Sequence, residues 1–299
     1  MNDSGKPRIG FIGLGLMGSA MVQRLQECGY RVTVTANRNR APIDAAVERG
    51  ATEAGNPGEV AANSDLVMLC VDTSNAVERV MLGEHGVIDN LNEGAIVIDF
   101  GTSLPTSTLS LAERAKEKGA SMMDAPLGKT PADAVLGQLN IMAAGSEEDF
   151  ERAKPVLEDL AGNLFYLGPL GTGHQIKLLN NFVGQTQVLA AAQAFVVADK
   201  VGVPRQALHD VLSAGPVGSG LLDLLKAYAI DGDPDRLAFS LANARKDVGY
   251  FVEMAQAAGF DSSIGRNTHA CLDGAVNAGF GERNIPLVID FFAGQEASD

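Results

Sequence analysis

Lys177 and Asn181 stand four residues apart in the stretch Gly171-Thr-Gly-His-Gln-Ile-Lys177-Leu-Leu-Asn180-Asn181. In a helix that spacing sets an amine and a carboxamide on one face, with Gly184 about a turn further on. Close to a glycine hinge, such a lysine and asparagine are placed to meet a ligand lying between the domains. Ile176, Leu179 and Val183 fall on another face and suit a core. On spacing alone, an ordinary solvated lysine accounts for Lys177 equally well.

A second pattern lies near the amino terminus. Gly13-Leu14-Gly15-Leu16-Met17-Gly18 is a G-x-G-x-x-G that follows a short apolar run and opens a helical segment. Gly13 permits a tight turn, Gly15 lets the backbone approach a pyrophosphate, and Gly18 lets helix and strand pack closely. The helix amides then face the phosphates. The other reading is a glycine-rich turn without a ligand. A carboxylate after the second strand would bond a ribose 2′-hydroxyl and repel a 2′-phosphate. The chain has Ala36-Asn37-Arg38-Asn39-Arg40 there instead. Guanidinium groups suit phosphate, so NADP is favoured and NAD is possible, unless both arginines are merely solvated.

Around these residues the first half alternates apolar runs with helical periodicity. Strands are predicted at 8–12, 31–35, 66–71, 95–100, 121–126, 140–144 and 164–167, with helices between them such as 19–28 and 147–160. Ser146 and Asp149 form a capping box for the latter helix. The runs at 66–71 and 95–100 are apolar throughout, as in strands buried on both faces. The expected fold class is α/β: an N-terminal Rossmann, doubly wound sheet followed by an all-α C-terminal domain. A glycine-rich hinge at 168–173 and a long helix at 174–201 mark the change. We therefore expect an NADP-binding domain at 1–168 and a helical substrate and oligomerisation domain at 169–299.

Composition narrows the classes. The net charge of −14 argues against nucleic acid or an anionic membrane as partner, while leaving room for a small anion held by a few local cations. Cys28, Cys70 and Cys271 are widely spaced and form no C-x-x-C, so a reducing compartment fits. The four histidines, His85, His174, His209 and His269, show no metal-ligand spacing, and no metal is expected. His174, near Lys177, reads as a polar residue at a helix start, with a place lining the cleft as the alternative, and Cys70 reads as a small core residue closing a strand. The opening residues lack a signal pattern, and the longest apolar stretch is interrupted at Gln193, so the expected location is the cytoplasm.

Across nearly its whole length the sequence resembles the β-hydroxyacid dehydrogenase family, which includes 3-hydroxyisobutyrate dehydrogenases, tartronate semialdehyde reductases and glyoxylate/succinic semialdehyde reductases. The resemblance rests on Phe11 to Gly18, Asp99-Phe-Gly-Thr-Ser103, Asp124-Ala-Pro-Leu127, Gly171 to Asn181, and Lys246-Asp247, in the family's order. It implies that Lys177 is the acid/base, with a lowered pKa, and that Asn181 orients the substrate. It further implies that Thr102 contacts substrate and nicotinamide, that Val71 and Asp72 neighbour the coenzyme, and that Lys246 approaches the nicotinamide. For Asp247 a supporting carboxylate and a direct role both stand. Dimers or tetramers joined through the helical domain are implied as well.

One stretch departs from the family. Most members continue D-A-P-V-S-G-G, whereas this chain reads Asp124-Ala-Pro-Leu-Gly128-Lys129-Thr130-Pro131. It is similar to the variant loop of sulfolactaldehyde reductases, and Lys129 and Thr130 suit the carboxylate or sulfonate of a small anionic substrate. The expected reaction is hydride transfer between NADP(H) and an anionic 3-hydroxy acid/semialdehyde pair. An imine reductase-like enzyme and a non-catalytic coenzyme-binding protein are the alternatives. Retention of Lys177, Asn181 and Lys246 weighs against both.

Overall fold

The computed structural model describes residues 5–37 and 39–295, which divide into two compact units at Lys177/Leu178. The first unit opens with β1 (Ile9–Ile12), α1 (Leu16–Glu27), β2 (Val32–Thr35), α2 (Ala41–Glu48), β3 (Thr52–Ala54), α3 (Pro57–Ala62) and β4 (Leu66–Leu69). It continues with α4 (Ser74–Leu82), β5 (Ile96–Asp99), α5 (Pro105–Lys116) and β6 (Ser121–Asp124). After these come β7 (Leu127–Gly128), α6 (Pro131–Val135), β8 (Leu139–Ala143), α7 (Glu147–Leu160) and β9 (Ala161–Tyr166).

Strands β1 to β6 form one parallel sheet in the order β3-β2-β1-β4-β5-β6. The order reverses between β1 and β4, and such a reversal opens a crevice beyond the carboxyl ends of the strands. The alternation of side chains explains why these strands are apolar throughout. Leu66, Met68, Ile96 and Ile98 enter the core on one face with Phe11, Met21 and Leu25. Val67, Leu69 and Val97 enter the other with Val60, Val77 and Leu111. Truncating any of these large side chains to alanine costs about 2–5 kcal/mol. At the opposite, amino-terminal end, Arg8 Nη2 meets Asp65 Oδ1 at 2.8 Å and the Arg8 amide donates to Asp65 Oδ2 at 2.8 Å, which ties β1 to β4.

A second sheet, β7-β8-β9, pairs β7 with β8 antiparallel and β8 with β9 parallel. The strands expected at 140–144 and 164–167 appear as β8 and β9 with shifted bounds. The sequence pattern gave no sign of β3 or β7, which are three and two residues long. Helix α7 has its Ser146 cap as expected, with the hydroxyl accepting from the Asp149 amide at 3.1 Å.

Helix α8 (Thr172–Val201) starts in the first unit and continues into the second, two residues earlier than expected. The second unit adds α9 (Arg205–Ala214), α10 (Gly220–Ala229), α11 (Leu241–Ala257), α12 (Ser263–Ala275) and α13 (Val288–Ala293). Its core gathers Phe195, Leu225, Leu241, Val248, Leu272 and Val288. Phe182 of α8 stacks on Phe251 of α11 at 4.0 Å between ring centres. The molecule is thus a Rossmann-type parallel sheet followed by a helical C-terminal region.

Candidate active site

The glycine turn sits at the reversal of strand order. Gly13 has φ +100°, and a Cβ there would lie 2.3 Å from the Cys70 carbonyl oxygen just past β4. A Cβ on Gly18 would lie 1.9 Å from the Gly13 carbonyl oxygen and 3.0 Å from the Phe11 ring. Both glycines are therefore demanded by packing. Gly15, the N-cap of α1, has nothing within 4 Å of the position a Cβ would take. The first turn of α1 carries no acid and Leu16 beside it is 83 % exposed. Open backbone over unshielded helix amides fits a pyrophosphate. Leu14 and Met17 pack partly buried against the core, and the Ser19 hydroxyl donates to the Leu14 carbonyl at 3.0 Å.

Asn37 is exposed after β2, and Arg38 lies outside the described residues. Arg40 is held at 2.8 and 3.1 Å by Glu53, on β3, and at 2.9 Å by Asp44. Its fork is occupied, and it keeps the Glu53 carboxyl below the usual carboxylate range. Val71 abuts the Gly13 turn, and Asp72 is exposed next to Thr73, the N-cap of α4. Burial pushes the Cys70 thiol up to about 12, which suits a packing residue and not a nucleophile.

Beyond β5 and β6 lies a polar cluster within the first unit. Asp99 and Asp124 are register partners at the ends of these strands, and both are fully buried. Asp99 accepts from the Gly101 amide at 2.8 Å and the Ser103 hydroxyl at 2.7 Å, so Thr102 is set between two anchored neighbours. Asp124 accepts from the Gly171 amide at 2.7 Å and the His174 amide at 2.6 Å. Burial raises the Asp124 carboxyl, with His174 and the two amides pulling it back. His174 stands in the first turn of α8, the helix-start place expected of it, and is fully buried there. The imidazole fills a space walled by two strand ends and α5, where water could not satisfy it. Lys177 follows one turn later, half-buried.

In the second unit the carboxamide of Asn181, itself buried, donates to Asp247 Oδ2 at 2.7 Å. Asp247 is buried as well, and Lys246 Nζ stands 3.0 Å from its Oδ1 and 5.5 Å from the Tyr250 ring. Asp247 thus supports Asn181: it fixes the amide rotation, leaving the Asn181 oxygen to accept from the Asn180 amide at 3.2 Å.

Lys129 and Thr130 lie on an exposed turn between β7 and α6. Lys129 adopts the left-handed conformation at φ +77°, unusual for a side-chain-bearing residue. The Thr130 hydroxyl makes a capping box with Asp133, donating to its carboxylate at 2.5 Å. Thr130 therefore shapes the turn, with the Lys129 side chain exposed beside it.

The roles of Asp99, Asp124 and His174 were missed from sequence, whereas Asp247 takes the supporting place that is one of its two expected readings. The available signal was an acid closing an otherwise apolar strand, since a carboxylate is buried only with partners. Elsewhere Ser213 Oγ and Asp223 Oδ1 both approach Nε2 of His209, at 3.1 and 3.2 Å. A serine and an acid sharing one ring nitrogen cannot relay a proton across the ring. Among the described residues no group of three metal-ligating side chains occurs.

Comparison with known proteins agrees with this layout. Residues 8–168 match the family model for the NAD binding domain of 6-phosphogluconate dehydrogenase. Residues 171–291 match that for the NAD-binding region of NADP-dependent 3-hydroxyisobutyrate dehydrogenase. The chain is 31% identical to 3-sulfolactaldehyde reductase of Escherichia coli (strain K12) over 285 residues, 94% of each chain. It is 30% identical to 2-(hydroxymethyl)glutarate dehydrogenase of Eubacterium barkeri over 284 residues, 94% of this chain and 93% of that one. Its fold is similar to that of a Mycobacterium tuberculosis 3-hydroxyisobutyrate dehydrogenase solved with L-serine, with a TM-score of 0.83 at 26% identity over 95% and 98% of the two chains. On these matches the chain belongs to the β-hydroxyacid dehydrogenase family of nicotinamide-dependent oxidoreductases.

Proposed function

We propose that this protein transfers a hydride between NADP(H) and a small anionic 3-hydroxy acid or its semialdehyde, of 3-hydroxyisobutyrate, succinic semialdehyde/glyoxylate or sulfolactaldehyde type. The observation that carries the reading is Lys177 and Asn181 four residues apart on one helix, with the Asn181 amide fixed by buried Asp247. A bound nicotinamide supplies or accepts the hydride. The glycine turn and the first amides of α1 hold the pyrophosphate. Asn37 and Arg38 take the 2′-phosphate, Val71 and Asp72 flank the coenzyme, and Thr102 and Lys246 border its nicotinamide.

In the reducing direction Lys177 donates a hydrogen bond to the aldehyde oxygen and passes its proton there as negative charge develops, giving the alcohol. In the reverse direction a neutral Lys177 accepts that proton. Asn181 holds the substrate against rotation, and Lys129, on the turn that Thr130 caps, attracts its anionic end. The exposed valines Val197, Val201 and Val211 support a homodimer or homotetramer joined through the helical unit. No helix among the described residues is long and apolar enough to cross a membrane, and the cytoplasm is the compartment we propose.

The test is NADPH consumption with carboxylate and sulfonate semialdehydes side by side. Lys177→Ala is expected to lose roughly 10²- to 10⁴-fold in kcat while NADPH still binds. Retention of more than about a tenth of the wild-type kcat would remove Lys177 from this role.

A further inference from the structure

His174 and the two strand-end aspartates have no part in the proton transfer described above, although a buried titratable cluster is costly to maintain. Nδ1 of His174 lies 2.9 Å from the Thr108 hydroxyl on α5. That hydroxyl is 3.3 Å from the Leu104 carbonyl oxygen, to which it can only donate. The hydroxyl and Nδ1 are hydrogen-bonded to each other, and the ring's tautomer sets which of them donates. Nε2, on the far side of the ring, faces Asp99 Oδ2 at 3.7 Å. The main chain of the same turn is held separately, because Asp124 accepts from the Gly171 and His174 amides. Packing closes the turn further: a Cβ on Gly173 would lie 2.4 Å from the Met142 carbonyl oxygen on β8 and 2.7 Å from Asp124 Oδ2. The first turn of α8 is thus fastened to β5, β6, β8 and α5 at once.

Lys177 stands three residues beyond His174 on that helix. Residues three apart are neighbours on a helix surface, separated by about 4.5 Å along the axis. A rigid helix carries any shift or rotation of His174 directly to the lysine. We propose that His174 is a positioning residue: its imidazole, wedged between Thr108 and Asp99, sets the height and rotation of the first turn of α8 and so the place of the Lys177 amine. The proposal rests on the reading of Lys177 as acid/base. It adds that the lysine's placement is decided at the ends of β5 and β6, by a side chain that touches neither coenzyme nor substrate.

The test is a double-mutant cycle on the full-length enzyme, with NADPH and the best semialdehyde from the panel as substrates. His174→Leu removes both ring contacts, and His174→Asn keeps a hydrogen-bonding group near the Nδ1 position. Thr108→Val removes the partner only and is the milder variant should His174→Leu fail to fold. Misplacing a reacting group by about 1 Å costs up to roughly 10²-fold, so His174→Leu should lower kcat at least tenfold, with NADPH affinity within about twofold of wild type. His174→Asn should recover part of the loss. In the Lys177→Ala background the same substitution should cost little more, because the group it positions is gone. A full, multiplicative loss in both backgrounds would make His174 a merely structural residue and overturn the proposal, as would kcat within twofold of wild type for His174→Leu and Thr108→Val. Should Lys177→Ala itself remain active, the acid/base reading fails first, and that outcome is recognised from the single variant alone.

Discussion

Arg40 shows how a residue chosen for its chemistry can be claimed by its neighbours. Its guanidinium fork is occupied by Glu53 and Asp44, which leaves Arg38 as the arginine that we propose discriminates the coenzymes. A charge-assisted hydrogen bond contributes roughly 1.5–3 kcal/mol, and Arg38→Ala should therefore weaken NADP by about tenfold or more while sparing NAD. Equal losses for the two coenzymes in parallel titrations would contradict the assignment. Lys129 permits a similar separation of charge from shape. Lys129→Ala should raise KM for an anionic semialdehyde about tenfold at low ionic strength and hardly change KM for a neutral aldehyde of the same length. The contrast should shrink as salt is added, since the lysine is exposed. If charged and neutral substrates suffer alike, the lysine is remote from the substrate.

At the scale of elements, the amino-terminal ends of β1 and β4 carry a link whose strength depends on pH. Arg8 holds the Asp65 carboxyl below its usual range, by side-chain hydrogen bonding first. A carboxyl lowered in the fold adds stability above its unfolded value, near 3.9, and loses it as pH falls through the lower folded value. The pair is partly exposed, so its worth at pH 7 is about 0.5–1 kcal/mol. Urea titrations should show Asp65→Asn less stable by that amount at pH 7, with the gap closing toward pH 3. A constant gap would assign the loss to packing. The long buried elements were legible in the sequence for a simple reason: β4 and β5 are apolar on both faces, so pattern and burial coincide. β3 was not, because Thr52-Glu-Ala has no run of its own and exists by pairing with β2. The candidate site divides in the same way. The glycine turn and the Lys177–Asn181 spacing are local, and they could be read directly. The partners of His174 lie 66 residues away at Thr108 and 50 away at Asp124, and a single sequence does not bring them together.

At the scale of the whole molecule, coenzyme binding should appear as stability. A ligand at 100 times its Kd that binds only the folded state adds about 2.7 kcal/mol. For a chain of this size that raises Tm by roughly 4 °C. Saturating NADPH should produce such a rise, and NADH at equal concentration a smaller one. The same shift from both coenzymes would count against the 2′-phosphate reading, and no shift from either would count against the glycine turn as a coenzyme floor. Strand order also governs how the protein is made. β1 leaves the ribosome first, yet its inner edge waits for β4, since Ile9 pairs with Val32 on one side and with Leu66 on the other. Until Leu69 has emerged, a nascent chain can build only β3-β2-β1, with an apolar parallel edge left open to other chains. The Gly13 turn, whose wall is the backbone at Cys70, cannot take its shape before that moment. A chain from which Leu66 has not emerged should therefore seek a chaperone and ignore coenzyme, whereas one from which Asp124 has emerged can complete the parallel sheet while still attached to the ribosome.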